Sequence, residues 1–130
     1  MTTHKINPQI LFSTLWIFVL FNIIFRDLHE FLAEGTIEEM MNQKVSDAAL
    51  LFYAVILEIP ILMVLLSQIV NNTINKWANM IAASFMILGT FSLLLSSDLD
   101  DLFFGTIEIA ALILLLYTAW KLPYTETTEI

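Results

Sequence analysis

Four apolar blocks dominate this chain, over about residues 10–25, 48–70, 77–95 and 102–120. Each approaches the ~20 residues that an α-helix needs to cross ~30 Å of hydrocarbon. In lipid the backbone must satisfy its own hydrogen bonds, so only helices and closed barrels span, and these runs are far too long for barrel strands. A soluble four-helix bundle would show polar outer faces, which these blocks lack. Composition agrees, since 58% of the 130 residues are hydrophobic and only 14% are charged. The sequence therefore predicts an all-α fold, an integral membrane four-helix bundle forming one domain over 1–130. Its helices are expected over about 8–32, 47–70, 75–96 and 99–121, with a short surface helix over about 36–44.

Helix ends are signposted. Asn7-Pro8 reads as an N-cap followed by proline in the first turn, where its missing N–H costs nothing. Ser46-Asp47 can cap the second span, Thr73 or Asn75 the third and Ser97-Asp98 the fourth, which Pro123 ends. Thr36-Ile37-Glu38-Glu39 is a capping-box pattern. It predicts an amphipathic surface helix burying Ile37, Met40 and Met41 against the bundle or the bilayer, with a lid over a cavity as the less favoured reading. The first block lacks a small-x-small cleavage site and is expected to be retained rather than removed as a signal peptide.

Inside the apolar runs stand two glutamates in nearly repeated surroundings. Glu58-Ile59-Pro60-Ile61-Leu62 aligns with Glu108-Ile109-Ala110-Ala111-Leu112. A carboxylate at a helix centre in a membrane costs on the order of 2.5–3.5 kcal/mol, so each needs a partner, a proton or a water-filled cavity. The alignment suggests two repeated helical hairpins, with Glu58 and Glu108 in equivalent positions near the bundle centre. Helix one carries a polar stripe of Asn22, Arg26, His29 and Glu30. By depth, Arg26 matches Glu108, and Asn22 is placed near Glu58. One arginine cannot neutralise two deep glutamates, so one of them is left to a proton, water or something positive.

Other features read as packing. Ala78, Ala82, Ala83, Gly89 and Ser92 give the third span a small-residue face for close approach, as does Gly105 in the fourth. No metal site is expected, since His29 is the only histidine near the carboxylates, and no phosphate loop or catalytic triad pattern is present. With no cysteine, disulfides and thiolate chemistry are excluded, and no cofactor is implied.

Taken together, Leu15-Trp16-Ile17-Phe18-Val19 with Asn22 and Asp27, Glu58-Ile59-Pro60-Ile61 with Leu66-Ser67, Asn75-Lys76-Trp77-Ala78-Asn79, Thr106-Ile107-Glu108, and Ala119-Trp120-Lys121 with Pro123 have a family likeness. They resemble an uncharacterised family of small four-helix bacterial membrane proteins, a domain of unknown function loosely similar to the DoxX-like proteins. The resemblance covers nearly the whole chain. It implies a four-span fold in a bacterial inner membrane and supplies no activity, substrate or catalytic residues.

Three classes of function fit these residues. The first is a binding or transport module in which Glu58 and Glu108, with Arg26, Asn22, His29 and Glu30 around them, take a proton, a cation or a small amine-bearing molecule. The second is an accessory or assembly subunit whose polar cluster only sets helix packing. A membrane enzyme ranks last, because nothing supplies a nucleophile, metal set or cofactor motif. Expected partners are the lipid bilayer and a second copy or a partner subunit. Nucleic acid is not expected, given the acidic face formed by Asp27, Glu30, Glu34, Glu38, Glu39, Asp47, Asp98, Asp100 and Asp101 and a net charge of −8.

Orientation follows from Lys and Arg. Lys5, Lys76 and Lys121 lie on one side and Arg26 and Lys44 on the other, which predicts cytoplasmic termini, with Trp77, Trp120 and Tyr124 marking that interface. Because the chain has no cysteine, single cysteines at Glu38, Thr73 and Asp100 can be probed in intact cells with a membrane-impermeant thiol reagent. Labelling is expected at 38 and 100 and not at 73; the opposite pattern reverses the topology.

Overall fold

The computed structural model describes residues 6–122; Lys5, Pro123 and Tyr124, used above, lie outside the described residues. The chain forms α1 (Pro8–Glu30), α2 (Thr36–Asn42), α3 (Asp47–Ile69), α4 (Asn72–Leu94) and α5 (Leu99–Lys121). Four of these, α1, α3, α4 and α5, are long and apolar enough to cross a membrane. Each has 23 residues, a rise of about 34 Å and enough to clear the hydrocarbon.

Side chains set most of the starts. The Gln9 N–H donates to Asn7 Oδ1 at 3.0 Å, and the Ala49 N–H donates to Ser46 Oγ at 3.3 Å. α4 starts three residues earlier than the sequence predicts. Asn71 caps it by accepting from the Ile74 N–H at 3.0 Å, which frees Asn75 for the interior. α2 also differs from expectation. Gly35, at φ 86°, takes the N-cap position in a left-handed conformation that favours glycine, so Thr36 begins the helix and no capping box forms. Ile37, Met40 and Met41 remain exposed, so α2 does not bury them against the bundle.

The four spans form a ring. α1 packs on α3 and α5, and α4 packs on α5 and, less extensively, on α3. Successive spans alternate in direction, so neighbours around the ring are antiparallel, as in an up-down bundle. The core is a stripe of Phe12, Trp16, Val19 and Ile23 from α1 against Ala83 and Met86 of α4 and Leu112 and Leu115 of α5. These α1 residues recur at alternating spacings of four and three, which keeps them on one helical face. α3 continues unbroken through Pro60, whose missing N–H deprives the Ile56 carbonyl of its usual donor.

Packing does repeat between the two halves, but not in the register of the glutamate motif. Pro60, Met63 and Ser67 of α3 are buried, and 52 positions on so are Leu112, Leu115 and Ala119 of α5. Phe12, Trp16, Val19 and Ile23 of α1 similarly match Asn75, Asn79, Ala82 and Met86 of α4 at a spacing of 63. The two glutamates are 50 apart. That mismatch of two residues is a turn of roughly 200° about the helix axis. Glu108 therefore faces the interior while Glu58 is exposed on the outside, and the expected equivalence of the pair is corrected.

Two glycines give contrasting expectations. A Cβ on Gly105 would run into the Leu94 side chain, whereas one on Gly89 meets nothing within 4 Å. Gly105→Val should lower thermal stability in detergent by about 1–3 kcal/mol through overpacking, and Leu94→Ala should relieve part of the loss. Gly89→Ala should be neutral or stabilising. Equal losses at the two positions would contradict this packing.

Candidate functional site

Glu108 is the point at which three helices meet. It is 1% exposed, and both of its oxygens are occupied. Arg26 Nη1 of α1 donates to Oε2 at 3.1 Å, and Thr90 Oγ1 of α4 donates to Oε1 at 2.5 Å. Arg26 also lies 3.6 Å from Asp27 through its Nε. One turn away on each helix, Asn22 Nδ2 donates to the Phe104 carbonyl at 2.7 Å, a second tie between α1 and α5. A buried carboxylate that accepts from a guanidinium and a hydroxyl keeps its charge compensated, and charge-assisted bonds of this kind are the strong ones.

Beside this cluster a cleft of about 720 Å³ separates the halves of α3 and α4 nearest the connecting loops. Phe52, Tyr53, Ile56 and Leu57 form one wall; Phe85, Leu88, Gly89 and Leu93 form the other. Arg26, Asp27, Glu30, Thr90, Ser92 and Glu108 supply most of its polar lining. Three carboxylates thus face the cleft against one guanidinium. Arg26 is engaged by Glu108 and Asp27, while the Glu30 side chain makes no hydrogen bond or ion pair among the described residues.

The reason for the cleft lies at the other end of the bundle. There, Trp16 Nε1 donates to Asn79 Oδ1 at 2.7 Å, Asn79 Nδ2 donates to Asn75 Oδ1 at 2.6 Å, and Asn75 Nδ2 donates to the Ser67 carbonyl at 2.8 Å. Gln68 Nε2 donates to Ser13 Oγ at 2.9 Å, and Ser13 Oγ to the Val64 carbonyl at 3.0 Å. These bonds tie α3 to α1 and α4 from residue 64 onward. Among the described residues, no side chain of 47–62 hydrogen-bonds another helix, and none of residues 47–59 is buried.

Of the residues singled out from sequence, Arg26 and Glu108 meet as their matched depths predict. Asn22 does not approach Glu58 but bonds the α5 backbone, because Glu58 points out of the ring. Glu30 is partly buried in the cleft wall. His29 is exposed, with Nε2 3.6 Å from Asp100 Oδ2, and does not line the cleft. α2 contributes nothing to the lining, so the lid reading of that segment gains no support from its position. Thr90 and the Asn75–Asn79 network were not anticipated. A signal existed, since Asn75, Asn79, Met86 and Thr90 fall on one face of α4 at helical spacing.

The fold and this cluster define a small polytopic membrane protein with a charged group held inside its bundle. The chain belongs to the family of unknown function DUF6326, whose model matches residues 2–127. No curated protein and no solved structure matches it.

A double-mutant cycle measures the cluster. Arg26→Ala should cost about 3–5 kcal/mol by stranding Glu108, and adding Glu108→Gln should recover part of that. Thr90→Val should cost about 1–3 kcal/mol. Thermal unfolding in nanodiscs reads all of these; strictly additive losses for Arg26 and Glu108 would show that their pairing carries no coupling energy.

Proposed function

We propose that this protein is a membrane binding module whose cleft takes a small amphipathic cation, apolar in body and positive at one end. The observation that carries this reading is the cleft's composition: aromatic and aliphatic walls with a surplus of carboxylate over guanidinium. Apolar concavities with a few convergent polar groups are the usual form of small-molecule sites. Glu30, with Asp27 beside it, is the group for the positive end, while Glu108 holds Arg26 in place. With the termini in the cytoplasm of a bacterial cell, as the lysine distribution argues, the cleft lies in the outer leaflet half of the inner membrane.

A second reading, an accessory subunit with a purely structural cluster, is favoured by the full pairing of Glu108. The two readings separate on binding. Tetraphenylphosphonium and tetraphenylborate share shape and differ in sign, so their uptake by loaded and empty nanodiscs can be compared by equilibrium dialysis. Saturable excess uptake of the cation alone is expected. Gly89→Leu, which grows a side chain into the cleft, should abolish it, and Glu30→Gln should weaken it about tenfold, equivalent to ~1.4 kcal/mol. Uptake equal to that of empty nanodiscs, or equal for both ions, would sink the proposal and favour the subunit.

A further inference from the structure

Glu58 occupies the middle of α3 on the side opposite the buried Pro60, Met63 and Ser67. Its side chain makes no hydrogen bond or ion pair among the described residues, and it does not line the cleft. Its companions on that side are Leu51, Val55, Leu62, Leu65 and Ile69, all exposed. With Glu58 these fall at alternating spacings of four and three, the a/d seam of a helix-to-helix contact with one polar member at its centre. α3 is also the most apolar of the four spans and the least buried.

A carboxyl facing hydrocarbon at the middle of a span needs a hydrogen-bonding partner at its own depth. We propose that this face of α3 joins two copies of the chain, with Glu58 of each bonded to Glu58 of the other. Two copies inserted in the same direction are related by a two-fold axis along the membrane normal. Such an interface is self-complementary and brings equal residues to equal depth. No complementary cation is then required. Among the described residues none is offered at that depth on the outside of the bundle: Arg26 is held by Glu108, and Lys44, Lys76 and Lys121 lie beyond or near helix ends. A carboxyl group in its acid form is both donor and acceptor, so two that meet at one depth can bond to each other. One such central polar contact fixes the register of an otherwise uniform apolar seam. This contact lies on the far side of α3 from the core and is independent of the binding proposed above.

The cysteine-free parent allows a direct test. Leu62→Cys and Leu65→Cys, each keeping Glu58, would be oxidised with copper phenanthroline in native membranes beside Ile81→Cys, an exposed position on α4. Covalent dimers of twice the chain mass are expected at 62 and 65 and not at 81. In phosphatidylcholine–phosphatidylglycerol vesicles, single-molecule photobleaching should show dimers, weakened about tenfold by Glu58→Leu and retained by Glu58→Gln, which preserves a donor and acceptor. Equal cross-linking at 81, a monomer at every protein density, or adducts of another mass at 62 and 65 would overturn the proposal, the last by indicating a different partner.

Discussion

The bundle depends on how the Glu108 carboxylate is satisfied away from water. α5 carries the acid, α1 brings Arg26 and α4 brings Thr90, so one side chain fixes the relative rotation and depth of three helices. Removing either donor leaves a buried acceptor uncompensated, and that penalty exceeds what the intact contact contributes. α3 has no part in this cluster. Its loop-proximal half is therefore held to the others only by partial apolar contact, and the cleft opens on that side.

The two ends of the bundle solve the same problem with different chemistry. Near the termini the polar groups are neutral amides, a hydroxyl and an indole N–H, arranged so that Asn79 both accepts from Trp16 and donates to Asn75. Such a network is satisfied internally and ties α1, α3 and α4 together. Near the loops a carboxyl, a guanidinium and a hydroxyl join a different set of three helices, α1, α4 and α5. A neutral network suits a closed end. A charged one with surplus carboxylate suits an end that faces a cleft.

Depth was legible in the sequence; direction around each helix was not. Four runs of spanning length announced the architecture, and counting residues from the helix ends placed Arg26 opposite Glu108. The likeness between the Glu58 and Glu108 motifs pointed to a symmetric interior pair. In spans apolar on every side, however, hydrophobic periodicity marks the buried face only faintly, and the packing repeat runs two residues out of step with the motif. Thr90 does not stand out in the sequence, because Ala82, Ala83 and Gly89 give its helix an obvious small-residue character. Asn71 captured the start of α4 ahead of Thr73 and Asn75, a choice that local propensity alone left open.

The uneven fastening of α3 has a mechanical side. From Ser67 back to Asp47 the helix extends about 30 Å, anchored at its far end and lightly supported at the near one. Tilting it by about 5° around that anchor would carry Phe52 and Tyr53 sideways by about 2 Å, without breaking any of the amide bonds near the fulcrum. α3 is the least fastened wall of the bundle, and a tilt of that size would widen the mouth between it and α4 with Glu108, Arg26 and Thr90 left in place.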